Sequence, residues 1–291
     1  MLIDLQVHST YSDGYLTPDE LAKFLHSNGV RIAALTDHNT VGGLGEFREA
    51  CKKYGIKTIP GLELYVKLNG KKFNLLWFNF NEEKPELHKL LRDSQARRRG
   101  KARKILNKLR DIGFAIDTEK ILGKHKHYVP VNHVVDDLWA VNKNKLKIKK
   151  ELDNPSPREE EIIRAFFYNK DIGKMEESYI NIERVVRLRK KIGGQLVLNH
   201  PGKYGHITRS FLEKLKKMGI DGIELISPHH SIGFMLYIQS IADELGFMTT
   251  GGSDFHKFEE RKTGLTNSWQ YFKIELDKLR GIKKSLKKIN R

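Results

Sequence analysis

The chain has 291 residues, 39% of them hydrophobic, and a formal net charge of +17, with 53 Lys and Arg against 36 Asp and Glu. That apolar content excludes wholesale disorder, and no run approaches the roughly 18 apolar residues of a membrane span. The single Cys51 excludes an internal disulfide or a cysteine-based zinc cage. The start, Met1-Leu2-Ile3-Asp4, lacks the basic and apolar regions of a signal peptide, so a cytoplasmic location and no membrane partner are expected.

The first third alternates strand and helix patterns. Leu2 to Leu5 is a short buried strand. Thr17-Pro18-Asp19-Glu20 is a helix start, with Thr17 as N-cap, Pro18 at the first helical position and Glu20 three residues after the cap. Leu21, Phe24 and Leu25 follow at helical spacing, and Gly29 ends the helix. Ile32 to Thr36 reads as a strand, 43–54 as a helix, and Thr58-Ile59 and Leu62 to Tyr65 flank a Pro60-Gly61 turn; Phe73 to Phe78 is another strand. This is the βαβ rhythm of a parallel sheet or barrel.

From Leu87 to about Gly113 the pattern turns helical and basic, with Ala102, Ile105, Leu106, Leu109 and Ile112 on one apolar face. Residues 88–175 read as a mostly helical insertion, leaving 1–87 and 176–291 as the α/β body. The rhythm then returns: helix Ile182 to Ile192 stopped by Gly193-Gly194, strand Gln195 to Leu198, helix Phe211 to Met218, strand Gly222 to Leu225, helix 233–245 and strand Met248 to Thr250. From Lys273 an amphipathic helix is expected, with Ile274, Leu276, Leu279, Ile282 and Leu286 inward.

The charge is local. Residues 88–150 hold 18 Lys and Arg against 6 Asp and Glu, and residues 273–291 hold 8 against 2, while the remainder is almost balanced. Such basic segments favour an anionic partner, and nucleic acid is the commonest soluble one. Solvated helix faces are the alternative reading of the same charge.

Polar and metal-capable residues collect at the C-terminal ends of the strands: His8, Asp13, Asp37, His38, Glu63, Asn74, His200, Glu224, Asp254 and His256. In barrel-like α/β folds that rim carries the active site. Mixed His, Asp and Glu ligation suits zinc, manganese or iron, and clusters of such ions suit phosphoester hydrolysis. The chain has no Walker loop, Rossmann glycine pattern or nucleophile elbow to support a competing chemistry.

Asp4-Leu5-Gln6-Val7-His8-Ser9-Thr10-Tyr11-Ser12-Asp13-Gly14 resembles the opening motif of the PHP family, the polymerase and histidinol phosphatase superfamily. Thr36 to Thr40, Pro60 to Glu63, Asn199 to Gly202 and Gly252 to His256 resemble its later motifs. The resemblance implies a distorted (β/α)7 barrel with a mostly helical inserted domain capping the barrel mouth. The insertion, His133 within it, and Ser227-Pro228-His229-His230-Ser231 resemble the branch that contains nucleoside 3′,5′-bisphosphate phosphatases and a 5′-3′ exoribonuclease.

Carried over residue by residue, the resemblance implies three metal sites. One would use Gln6, His8, Glu63 and Asp254, a second Glu63, Asn74 and His200, and a third Asp13, His38 and His256. The family has His at the positions of Gln6 and Asn74, so the first two sites each lack an imidazole. A neutral amide suits manganese or magnesium better than zinc or iron. The resemblance thus implies a metal-dependent phosphoesterase with one to three ions, manganese favoured, acting on a nucleotide or short RNA through a metal-activated water, with no obligatory protein partner. Asp37, His200 and His256 are the expected catalytic residues, Asp37 by orienting a ligand or a water. The rival is a degenerate, non-catalytic scaffold that binds nucleic acid or nucleotides.

Substrate phosphate falls to Arg97, Arg98, Arg99, His133, Lys203 and His230. The branch usually places Arg two residues before its insertion His and three after, where this chain has Val131 and Asp136. Arg97 to Arg99 offer compensation, since Arg is the natural fork for phosphate. His229, after a strand end, reads as a turn residue or as a substrate contact, His125 and His127 read as loop residues, and Trp77 and Trp139 as core.

Overall fold

The computed structural model describes residues 1–205, 207–258 and 274–282. The chain divides into two compact units, one of 1–88 with 179–291 and one of 89–178. No helix among the described residues is long and apolar enough to cross a membrane.

The first unit is a mixed α/β body. Strand β1 (Leu2–Val7) leads to helix α1 (Pro18–Ser27), β2 (Val30–Leu35), α2 (Leu44–Lys53), β3 (Lys57–Thr58), β4 (Gly61–Leu68) and β5 (Lys71–Phe78). The capping box of α1 is formed: Glu20 N–H donates to Thr17 Oγ1 at 3.3 Å, and Thr17 N–H donates back to Glu20 Oε2 at 2.9 Å. Helix α3 (Pro85–Asp111) carries the chain into the second unit, which adds α4 (Thr118–Lys124), α5 (Val131–Trp139), α6 (Asn142–Glu151), α7 (Glu159–Ile162), β6 (Tyr168–Asn169) and β7 (Gly173–Lys174). The first unit resumes with β8 (Ile180–Asn181), α8 (Ile182–Ile192), β9 (Gln195–Leu198), α9 (Arg209–Met218), β10 (Gly222–Ile226), α10 (Ile232–Leu245), β11 (Met248–Gly251) and β12 (Ile274–Glu275).

The strands of this body form two sheets, ordered β12-β1-β2-β3 and β11-β10-β9-β5-β4-β8, and not one closed barrel. Two isolated parallel bridges, Val7 with Phe255 and His38 with Glu63, link the strand ends. Nor is the larger sheet wholly parallel, as the βαβ rhythm suggests. β5 runs antiparallel to both β4 and β9. The cause is local: Asn69 and Gly70 both have positive φ, +48° and +81°, the backbone of a tight hairpin turn between strands. Ile3 and Leu5 pack with Ile32, Leu76, Phe78 and Val197 in a core drawn from both sheets.

Over residues 274–281 the helix expected from Lys273 is also corrected. Ile274–Glu275 pairs antiparallel with β1, and a 3-10 turn follows. Ile274, Leu279 and Ile282 are buried as their apolarity requires, while Leu286 lies outside the described residues. Trp77 is fully buried and donates Nε1–H to the Gly193 carbonyl at 3.0 Å.

In the second unit Ala102, Ile105, Leu106 and Leu109 of α3 pack on Val134, Val135 and Leu138 of α5 and on Phe166 and Phe167. Ile112, expected on that face, is 46% exposed, because α3 ends at Asp111. Trp139 is half-buried, with the Lys145 and Lys149 ammonium groups 5.1 and 5.9 Å from its ring centre.

Candidate metal centre

The C-terminal ends of β1, β2 and β11 and the start of β4 bring the metal-capable residues together; Glu63, Asn74 and Glu224, expected at C-terminal strand ends, lie inside β4, β5 and β10. The tight turn after β1 depends on Gly14: a Cβ there would stand 2.3 Å from the His8 carbonyl oxygen. Gly252 lets the loop after β11 lie on β1, since a Cβ there would stand 2.3 Å from Gln6 Cβ. His200 and Asp254 hold positive φ, +24° and +52°, strain of the kind that surrounding structure must impose. The His200 N–H donates to Glu224 Oε2 at 3.0 Å and the Asp254 N–H to the Gln6 carbonyl at 3.0 Å.

Glu63, with no exposed surface, lies at the centre. His8 Nε2 stands 3.2 Å from its Oε2 and 3.2 Å from Asp254 Oδ1, and His200 Nε2 stands 3.3 Å from its Oε1. Both ring nitrogens of His8 are buried outside hydrogen-bond geometry, with Nε2 held between the two carboxylates. Beside them Asp13 meets His38 Nε2 at 3.4 Å and His256 Nε2 at 3.4 Å. His8, Asp13, His38 and His256 form one group of possible ligands, and His8, Glu63 and Asp254 another, with ligand atoms inside each group within 4.8 Å of one another. Burial, the largest influence on Asp13, would raise its pKa, but His38 and His256 outweigh it and hold the carboxyl below its ordinary range. Glu63 is likewise held well below its range, with burial opposing and His38, His200 and His8 prevailing. Imidazole and carboxylate donors of this kind fit manganese, iron or zinc.

The two amides behave differently from imidazoles. Gln6 Nε2 donates to Glu63 Oε2 at 3.2 Å and Asp254 Oδ1 at 2.8 Å, and Asn74 Nδ2 donates to Glu63 Oε1 at 2.5 Å. They offer N–H to the carboxylates, so both are at the site, while Gln6 Oε1 is buried without a hydrogen-bond partner.

Asp37 is spent on the fold of the loop. It accepts from Ser9 N–H at 2.8 Å, Ser9 Oγ at 2.7 Å and Ser12 Oγ at 2.6 Å, and burial raises its pKa. It is a positioning residue for His8 and Asp13. Tyr65 and Tyr204, which sequence reasoning missed, do similar work: Tyr65 Oη lies 3.1 Å from His38 Nε2, and Tyr204 Oη lies 2.9 Å from His200 Nδ1 while accepting the Asn74 N–H at 3.0 Å. Asp4 was missed too. It accepts from Ser253 N–H and Oγ and from Gln6 N–H, and burial pushes its pKa up to about 7. The spacing of Tyr204 from His200 and the acid inside an apolar strand were the available signals.

His230 is buried, its Nδ1 on the Leu225 carbonyl at 2.8 Å and its Nε2 without a hydrogen bond. Lys203 is exposed. The arginine triplet is occupied within its own unit. Arg98, 1% exposed, donates Nε–H to the Val129 carbonyl and Nη1–H to the Met175 carbonyl, and pairs with Glu177 at 3.1 Å. Arg99 donates to the Leu122 and His125 carbonyls, and Arg97 to Ser178 Oγ. His133 is half-buried beside His125. The second unit's exposed cations instead include Lys143 and Lys150 of α6.

The rim of His, Asp and Glu gives this α/β body a candidate metal centre, and its relatives put the chain among hydrolases. Residues 4–129 match the model of the PHP domain. The chain is 28% identical over 260 residues to the phosphoribosyl 1,2-cyclic phosphate 1,2-diphosphodiesterase of Eggerthella lenta, covering 88% of this chain and 94% of that one. It is 27% identical to a 5′-3′ exoribonuclease of Haemophilus influenzae, covering 87% and 89%, and 28% identical to the 3′,5′-nucleoside bisphosphate phosphatase of Chromobacterium violaceum, covering 87% of each. A crystal structure from Bifidobacterium adolescentis shares the fold, with a TM-score of 0.74 at 20% identity over 91% of each chain.

Proposed function

We propose that this hydrolase is a metal-dependent phosphoesterase acting on a nucleotide phosphate or a short RNA in the cytoplasm. The observation that carries the reading is the convergence of His8, Asp13, His38 and His256, and of His8, Glu63 and Asp254, into two groups of closely spaced ligand atoms. Divalent ions held there supply Lewis acidity to a phosphate oxygen and lower the pKa of a coordinated water. The chain's own residues set the geometry. Asp37 fixes the loop that carries His8 and Asp13, and Tyr204 and Glu224 fix His200 from either side. Carboxylate-rich ligation with amides at two imidazole positions favours manganese or magnesium.

The bridges of Val7 to Phe255 and His38 to Glu63 support reading the first unit as a distorted seven-stranded barrel whose rim is this centre. In this reading Lys203 and His230 bind substrate phosphate, and the exposed Lys143 and Lys150 of α6 offer the second unit a surface for longer anions. The relatives' activities motivate the substrates: a ribose cyclic phosphate, a nucleoside 3′,5′-bisphosphate and 5′-phosphorylated RNA.

The test is metal analysis of the purified protein and hydrolysis of those three substrates with manganese present, beside Asp13→Asn. Bound metal and turnover of one substrate, lost in Asp13→Asn, is the expected result. No metal, no turnover and intact RNA affinity would instead establish a non-catalytic scaffold.

A further inference from the structure

His229 lies in the turn between β10 and α10, where the sequence offers a turn residue or a substrate contact. The structure gives it a partner inside the centre: its Nε2 stands 2.7 Å from Asp254 Oδ2, and its ring lies edge-on to His200 with centroids 5.3 Å apart. The other Asp254 oxygen faces His8 Nε2 at 3.2 Å. Asp254 therefore joins two imidazoles, one from β1 and one from this turn. Ligands with bonds of about 2.1 Å to one ion stand about 3 Å apart. The separation of His229 from Asp254 thus suits neighbouring ligands of one ion as well as a direct hydrogen bond.

The turn is built to hold that imidazole in place. Ser231 Oγ accepts from the Phe234 N–H and caps α10, and the neighbouring His230 is anchored to the Leu225 carbonyl. His229 is the open member of the set, its side chain 32% exposed where that of His8 is fully buried. On the opposite side Gln6 turns N–H, not a lone pair, toward both Glu63 and Asp254. The imidazole that position 6 does not supply is thus matched by one entering from position 229.

We propose that His229 is a metal ligand, completing a site with His8, Glu63 and Asp254 in place of an imidazole at position 6. This rests on the metal-dependent reading above. The experiment loads wild type, His229→Ala and Gln6→His/His229→Ala with manganese, then reads bound metal by mass spectrometry and affinity by calorimetry. His229→Ala is expected to lose one ion per chain, or to bind it about 100-fold more weakly, on the scale by which even indirect supports change metal affinity. The ion of Asp13, His38 and His256 is retained. Adding Gln6→His restores the lost ion. Melting curves check that the turn substitution leaves the fold intact. If loaded wild type and His229→Ala hold the same number of ions with the same affinity, the proposal is overturned alone. If wild type takes up no manganese, the phosphoesterase reading falls and this proposal with it.

Discussion

Replacing Asp37 separates positioning from direct chemistry. Its two oxygens accept three buried hydrogen bonds, from Ser9 N–H, Ser9 Oγ and Ser12 Oγ, and Ser9 and Ser12 are themselves buried. Asp37→Ala leaves three donors without this acceptor, at about 1–1.5 kcal/mol each after partial relaxation, or about 3–5 kcal/mol in all. At about 2–4 °C per kcal/mol for a domain of 150–250 residues, the melting temperature should fall by about 10 °C. The loop from His8 to Asp13 loosens at the same time, so manganese affinity should drop with stability. Asp37→Asn keeps one acceptor oxygen and should lose about half as much of each. The assay is a melting curve with and without manganese, beside a metal titration. An Asp37→Ala protein that melts within about 2 °C of wild type and binds manganese equally, yet has lost turnover, would refute positioning and make Asp37 a direct participant.

In the second unit, Arg98→Met should cost about 3–5 kcal/mol in urea unfolding by leaving Glu177 without its buried partner, whereas Lys143→Glu with Lys150→Glu should leave stability unchanged and flatten the salt dependence of single-stranded RNA binding by about 1.4 in slope; the opposite pattern would return the anion surface to the arginines. Asp4, raised to about 7 by burial, binds its proton more tightly folded than unfolded. Its contribution is therefore fully present below the unfolded value and is lost as pH rises from about 4 to about 7, and Asp4→Asn should remove that decline from the stability profile. Burial pushes the Cys51 thiol up to about 12, so a disulfide reagent should leave it unmodified at pH 8 until the protein unfolds, and labelling on mixing would contradict the packing.

Local order is short-ranged, and much of the fold was therefore legible in the chain itself. The capping box at Thr17, the glycine stop at Gly193 and the apolar runs of β1, β2 and β9 depend on neighbours within a few residues. His8, Asp37, His38, His200 and Asp254 were legible for the same reason, since each follows its strand within three residues, whereas Glu63 and Glu224 lie inside β4 and β10. The direction of β5 was missed because a hairpin turn at Asn69-Gly70 was read through as part of a parallel rhythm. The segment after Lys273 was misread because its apolar spacing suits a helix, while an open edge beside β1 takes Ile274 as a strand.

What the tertiary structure alone decided is where each side chain spends its hydrogen bonds. Arg97, Arg98 and Arg99 look identical as a basic run, yet Arg98 is buried on backbone carbonyls while Lys143 and Lys150 of α6 are exposed. Asp37 and Asp13 both follow strands, yet one is consumed by serines and the other faces two imidazoles. His229 acquires its meaning only from Asp254, 25 residues away in the chain. The residue types set the available chemistry; long-range pairing determined which donors and acceptors remained for a ligand.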